Sequence, residues 1–408
     1  MMYQAYQAQA DFMEPVRAYA GLMRQTLTGP IFNAQERPGL RPLAAACEMM
    51  ERAGLSHGRP DFGIRTVEVG ESGVEVPVTE EKVAVLPFAT LLRFRKEADL
   101  PPQPRVLVVA PLSGHFATLL VNTVKVLLPD HDVYITDWHN ARDVPLSEGS
   151  FGFDDYVEHV IRCMEALGPG AHILAVCQPC VQSLVATAVM AAEGNPATPA
   201  SMTLMAGPID CRINPTAVNK LAMTKPMSWF ERNLISRVPR GFPGSGRRVY
   251  PGFMQLTAFV NMNMSRHLKA HMDLYNNLAE GEWEQAQTTK HFYDEYFAVL
   301  DMDADFYLQT VKYVFQDYLL PKGELTYRGQ PLDFSAIRRT SLLTVEGERD
   351  DICSIGQTMA AHDLCTNIRP HRKRHHMQAG VGHYGVFSGR KWAGQVYPIV
   401  RNHILSSD

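Results

Sequence analysis

The chain has 408 residues, enough for one large domain with an insertion or for two domains. Its 46% apolar and 20% charged content is ordinary for a globular protein, and a net charge of −4 argues against a nucleic-acid binder, which carries a basic footprint. No uninterrupted apolar run reaches the length of a membrane span, the first residues do not read as a signal peptide, and seven scattered cysteines predict reduced thiols in a cytoplasm.

Residues 1–65 read as a polar helical arm with Met and Ala at helical spacing, either packed on the main domain or serving as an oligomer contact. From 66 to 95 apolar alternation predicts two or three strands, for example 74–78 and 83–86. The pattern then becomes α/β: strand 105–110, helix 116–128, strand 131–138, amphipathic helix 153–167, strands 173–176 and 200–205. Such alternation implies a right-handed, mostly parallel sheet covered on both faces, with active groups at the carboxyl ends of its strands. Residues 66–210 therefore form the first part of the core. Between 211 and 330 the alternation stops; Met and aromatic residues in a helical tone predict a cap insertion, with a mobile Pro- and Gly-rich loop at 238–247. Residues 331–408 complete the core with strands 341–345 and 372–377 and a closing helix 392–404. The basic run 369–376 reads as the solvated face of an edge strand.

The chemistry concentrates at three strand ends. The apolar run 173–176 stops at Cys177, and a helix starts near Pro179, which the first helical turn tolerates. A residue pinned between strand end and helix start has the geometry of a nucleophile elbow. Asp350, in Gly-Glu-Arg-Asp, follows the strand 341–345, and His383 follows the last strand. Nucleophile, acid, base is the chain order of α/β-hydrolases, so the expected fold is an α/β-hydrolase with a thiol nucleophile. An imidazole and a helix N-terminus each lower a thiol's pKa, and an acid fixes the imidazole tautomer. The backbone N–H of Gln178 would face the developing oxyanion. A second donor would come from the loop after strand 105–110, with Leu112 first and Ser113 next. Taken singly, each residue has a plainer role: Cys177 a small buried hydrophobe, Asp350 a turn residue with Asp351 as the alternative acid, His383 a loop residue. The usual glycines of the elbow are absent, with Ala175 and Pro179 in their places, so its turn must be built differently. Cys177 and Cys180 also form a C-x-x-C, the spacing of a redox pair; Cys180 is expected instead on the buried face of the helix. Neither a zinc-binding second pair nor a zincin motif is present.

Several segments together resemble the intracellular poly(3-hydroxybutyrate) depolymerases: Met-Tyr-Gln-Ala-Tyr-Gln at 2–7, Ala-Pro-Leu-Ser-Gly-His at 110–115, Tyr-Ile-Thr-Asp-Trp at 134–138, Ala-Val-Cys-Gln-Pro at 175–179, Val-Glu-Gly-Glu-Arg-Asp-Asp-Ile at 345–352 and Gly-His-Tyr-Gly at 382–385. The resemblance implies a Cys177–Asp350–His383 triad, with Ser113, His115 and Trp138 as candidate substrate contacts. It implies hydrolysis of amorphous polyester granules in the cytoplasm, without metal or organic cofactor. The granule surface is the expected partner, and a homo-oligomer is one expectation for assembly. The related synthases carry a Gly-x-Cys-x-Gly elbow, from which Ala175 and Pro179 point away. Acyl transfer to coenzyme A and a non-catalytic granule coat remain as alternative functions.

Overall fold

A computed structural model describes residues 2–70, 73–262 and 264–407. Two helices open the chain, α1 (Met2–Thr28) and α2 (Arg41–Glu51), followed by strands β1 (Thr66–Val69), β2 (Val74–Val85) and β3 (Ala89–Lys96). Strand and helix then alternate through β4 (Arg105–Val109), α3 (Val121–Leu127), β5 (Asp132–Trp138), α4 (Phe153–Leu167), β6 (His172–Val176), α5 (Cys180–Ala192) and β7 (Ser201–Met205). An insertion contributes α6 (Ala217–Thr224), α7 (Met227–Leu234), β8 (Ser236–Arg237), β9 (Arg248–Tyr250), α8 (Gly252–Met262), α9 (Met264–Glu280), α10 (Trp283–Tyr296), β10 (Met302–Asp303), α11 (Ala304–Thr310) and the hairpin β11 (Thr326–Tyr327)–β12 (Gln330–Pro331). The main sheet resumes with β13 (Ser341–Gly347) and β14 (Lys373–Gln378), and a helix over Tyr397–Leu405 closes the chain.

The sheet runs β1-β2-β3-β5-β4-β6-β7-β13-β14, antiparallel up to β5 and parallel from there on. This is the α/β-hydrolase fold that the alternation predicts. Strands β6, β7 and β13 are buried along their whole length, as central strands covered on both faces must be. Helix α5 is buried from Cys180 to Met190, so its apolar residues surround it instead of forming a stripe. Strand β14 lies at the sheet edge and exposes Arg374 and His375, with Lys373 and His376 half-buried.

The structure departs from expectation at two places. Residues 74–85 form one strand, not two, because no Gly or Pro stands between 78 and 83; a register shift between Lys82 and Ala84 absorbs the irregularity. The second concerns the Pro- and Gly-rich loop after β8, which is anchored, not mobile. The Gly244 N–H donates to Arg142 O (2.8 Å), and a Cβ at Gly244 would fall 2.7–2.8 Å from the carbonyls of Arg142, Ala141 and Val144. Arg247 is buried and donates to the carbonyls of Val144, Pro145 and Gly149 and to Asp303 Oδ2 (2.9 Å). Composition signalled turns; tertiary hydrogen bonds hold them still.

The first helix docks on the insertion. The Tyr3 hydroxyl donates to Asp301 Oδ2 (2.6 Å), and the Tyr6 ring stacks on Phe253 at 4.0 Å. Asp301 is fully buried; its Oδ1 accepts from the Gly252 N–H (2.9 Å). Tyr3 and Tyr6 thus fasten the arm over the insertion.

Removing one partner of a buried ion pair costs about 3–5 kcal/mol, because the other charge stays buried and unpaired. Arg247→Ala should therefore lower the melting temperature and speed hydrogen exchange across 238–249. The same change at the exposed neighbour Arg240 should do neither. Equal exchange in the two variants would show that Arg247 does not anchor the loop.

Candidate active site

Strand β6 ends in Val176, and the next residue, Cys177, has φ +67°, the left-handed region that non-glycine residues seldom enter. Such strain persists only where surrounding structure holds it, and it clusters at functional sites. Here the Cys177 N–H donates to Met205 O at the end of β7 (2.7 Å), and Cys177 O accepts from the Cys180 N–H (3.1 Å). Cys177 is half-buried, whereas Cys180 is fully buried, its thiol facing the carbonyls of Ala175 (3.4 Å) and Met205 (3.6 Å). Burial drives the Cys180 thiol far above the ordinary cysteine range, the state of a core residue.

The elbow's missing glycines are compensated from the neighbouring strand. A Cβ at Gly207, just past β7, would lie 2.2 Å from Cys180 Cβ and 3.0 Å from Cys177 O. The close approach that elbow glycines usually permit is made here by Gly207. Its N–H donates to Thr358 Oγ1 (2.8 Å), which in turn donates to Gly207 O (3.0 Å). Nothing in the Cys177 motif signals Gly207, which is distant in sequence.

Asp350 and His383 follow the ends of β13 and β14, neighbours in the sheet. Asp350 Oδ1 accepts from the N–H groups of Ile352 (2.9 Å) and Cys353 (2.8 Å), which fixes the carboxylate, and Oδ2 meets His383 Nδ1 at 2.8 Å. Both residues are buried, while Asp351 is exposed, so the geometry pairs His383 with Asp350. Burial alone would drive the His383 pKa down. The charge of Cys177, that of Asp350 and hydrogen bonds to both outweigh it, so the ring holds its proton well above the usual histidine range. A second acid that sequence reasoning missed supports this loop. Glu346 is fully buried and accepts from the N–H groups of Gly356, Thr358 and Met359 at 2.7–2.9 Å.

The loop carrying Leu112 and Ser113 leaves β4, which pairs with β6 in a register that sets Val109 beside Ala175. Leu112 is buried and Ser113 half-buried. Gln178, next to Cys177, is half-buried and opens the turn into α5. Gly114, with φ +88°, lets the insertion approach: its O accepts from the Leu300 N–H (3.0 Å), and its missing Cβ leaves room for the Gln255 amide. His115 is buried against the insertion with Nε2 3.2 Å from Tyr296 O, and burial lowers its pKa to about 4, so its ring is neutral. Trp138 lies behind the loop at 1% exposure, its indole N–H donating to Ala110 O (2.8 Å) and its ring 4.2 Å from Tyr156. That position supports the loop and offers no substrate contact, contrary to the sequence expectation for Trp138. Among the described residues no group of three His, Cys, Asp or Glu side chains is gathered to hold a metal ion.

The protein's sheet order is that of an α/β-hydrolase, and a half-buried cysteine, an aspartate and a histidine follow the ends of β6, β13 and β14. Its family is the one the sequence resembles: residues 206–408 match the family described as "PHB de-polymerase C-terminus", and through them the chain belongs to the PHB depolymerases. Similar solved structures include a putative lipase from Acinetobacter baumannii AYE (14% identity, 82% of this chain and 93% of that one, TM-score 0.42). A monoacylglycerol lipase from Paleococcus ferrophilus (10% identity, 75% and 97%, TM-score 0.43) and an esterase from Thermogutta terrifontis (12% identity, 84% and 98%, TM-score 0.42) are also similar. No curated protein matches the chain.

Two outcomes test the site's construction. A raised folded pKa means that protonated His383 contributes stability fully present below its unfolded pKa, and lost as pH rises through the folded value. Cys177→Ala removes the largest of the raising causes, so the His383 midpoint followed by NMR should move down; an unmoved midpoint would assign the proton to Asp350 alone. Gly207→Ala should cost about 1–3 kcal/mol by overpacking against Cys180. Cys180→Gly, made in the same chain, should recover part of the melting temperature, and no recovery would locate the clash elsewhere.

Proposed function

We propose that the protein is a depolymerase that hydrolyses amorphous poly(3-hydroxybutyrate), with Cys177 as nucleophile, His383 as acid and base, and Asp350 orienting the imidazole. The observation that carries the reading is the 2.8 Å Asp350–His383 pair, together with Cys177 at a left-handed elbow. The family match over residues 206–408 supports the substrate class.

The chemistry balances with these groups alone. The Cys177 sulfur, its proton on His383, attacks an ester carbonyl, and the carbonyl electrons move onto oxygen. The N–H groups of Gln178 and Leu112 stabilise that oxyanion. The carbon–oxygen bond then breaks, and His383 gives its proton to the departing alkoxide, freeing one chain as an alcohol. A thioester on Cys177 remains. His383, now neutral, takes a proton from water as the water attacks the thioester. Collapse releases the carboxylic acid, and His383 and Cys177 return to their starting states. The products are 3-hydroxybutyrate and its short oligomers. The work belongs at the surface of storage granules in the cytoplasm.

Incubation with amorphous granules, with and without coenzyme A, followed by mass spectrometry of the products, tests this reading. Free hydroxy acids in both reactions are expected; coenzyme A thioesters formed only with the cofactor would make the protein an acyltransferase. Cys177→Ala and His383→Ala should each lower turnover by about 10³-fold or more, with Asp350→Asn somewhat milder. If Asp351→Asn proves more damaging than Asp350→Asn, the acid has been misassigned. Crystalline polymer, its chains locked in a lattice, should be spared where amorphous polymer is degraded.

A further inference from the structure

Helix α1 is apolar on two faces, and the described residues cover one. On the inner face Tyr3 reaches Asp301, and Ala20, Gly21 and Leu27 are buried; a Cβ at Gly21 would fall 2.8 Å from Glu51 Oε1 of α2. A helix lying on a protein surface normally turns charged and polar residues outward. Outward, α1 shows instead Ala5, Ala8, Phe12, Pro15, Tyr19 and Leu22, every one exposed, at intervals alternating between three and four residues. Phe12 is 78% exposed, Tyr19 64% and Leu22 60%, although large apolar side chains gain by burial. The charged residues of α1, Asp11, Glu14, Arg17 and Arg24, occupy none of these positions. Arg24 is turned to Glu51 and Arg17 to Ala10 O.

Intervals of three and four, kept from residue 5 to residue 22, make the narrow seam by which one helix lies along another. A polymer surface sets no such period. The stripe is also complementary to itself when reversed. With two copies antiparallel about Pro15, Phe12 of one comes opposite Tyr19 of the other, and Ala8 opposite Leu22. Ring then meets ring and small meets large, and a two-fold axis makes each contact occur twice. No like charges are brought together, because the stripe carries none. Phe12 and Tyr19 alone offer about 200–350 Å² per copy at these exposures, and Val16, Leu22, Pro15 and the alanines bring two copies to on the order of 1,000 Å², where specific interfaces begin.

We propose that α1 pairs with α1 of a second copy, antiparallel about Pro15, and that the protein is a two-fold symmetric dimer. The pairing covers the outer face of the same helix whose inner face clamps the insertion through Tyr3 and Asp301. It does not depend on the hydrolytic reading above, since no residue of the stripe belongs to the candidate active site.

Sedimentation equilibrium of the full chain over a dilution series should give twice the 45.6 kDa of one chain, falling towards a single copy at the lowest concentrations. Phe12→Glu and Tyr19→Glu should each raise the dissociation constant by about tenfold or more, because each removes a central aromatic anchor and puts a charge in its place. Gln25→Glu adds the same charge to α1 off the stripe and should change that constant by less than about twofold. Val16→Cys, beside the two-fold axis, should form an intermolecular disulfide on mild oxidation, with the parent as the blank for its own thiols. Ala5→Cys, far from the axis, should not; crosslinking at both positions would mean parallel helices and overturn the antiparallel pairing. A parent that keeps the mass of one chain throughout, or glutamate variants that dimerise as the parent does, overturns the proposal. If the parent is monomeric and Tyr19→Glu no longer binds amorphous granules, the stripe belongs to the polymer surface instead.

Discussion

A cysteine held in the left-handed region between a buried strand and a buried helix is the constraint around which this protein is organised. A residue with a Cβ at φ +67° is stable only if its neighbours leave it no better choice. Met205 O takes the Cys177 N–H from one side, and Cys180 returns a hydrogen bond from the other. Because Cys180 itself has a side chain, the next strand must come close without one, and Gly207 meets that need. The consequences continue outward: Gly207 is held by Thr358, Thr358 by Glu346, and Glu346 sits on the strand that leads to Asp350. The elbow and the acid loop are thus parts of one hydrogen-bonded unit.

That linkage explains why a fully buried carboxylate such as Glu346 is tolerated. A bare charge in such a place would be very unfavourable, but three backbone N–H groups converge on its two oxygens. The reward is geometric. The segment 350–359 has almost no regular secondary structure, yet Asp350 must point one oxygen at His383 within hydrogen-bond distance. Backbone donors at Ile352 and Cys353 fix the other oxygen, and Glu346 fixes the loop behind it.

Much of this was legible in the sequence, and what was not has a common cause. The strands and helices of the sheet region announce themselves through period and length, and the boundaries of α4 match the expected 153–167. The order of Cys177, Asp350 and His383 depends only on which strand ends carry them, and that too could be read. Between Asp350 and Asp351 the sequence favoured Asp350, at the end of Gly-x-x-Asp, with Asp351 as the alternative; in the structure the N–H groups of Ile352 and Cys353 hold Asp350, whose other oxygen meets His383. Gly207, Glu346 and the anchoring role of Arg247 were invisible, because each acts through contacts with segments distant in the chain. Trp138 misled for the opposite reason: an aromatic residue at a strand end near the site has the look of a substrate contact, but its indole is used to brace Ala110.

The anchored loop after β8 also changes how access to Cys177 should be understood. A Pro- and Gly-rich segment suggests a hinge, but Arg247 fills the space beneath it with hydrogen bonds to three carbonyls and a buried carboxylate. Tyr3 clamps the insertion at a second point through Asp301. Lifting the insertion would break the Arg247 hydrogen bonds to the carbonyls of Val144, Pro145 and Gly149 and the Tyr3–Asp301 bond together. The loop of Leu112 and Ser113 is braced in the same way, by the Leu300 N–H on Gly114 O and the Trp138 indole on Ala110 O.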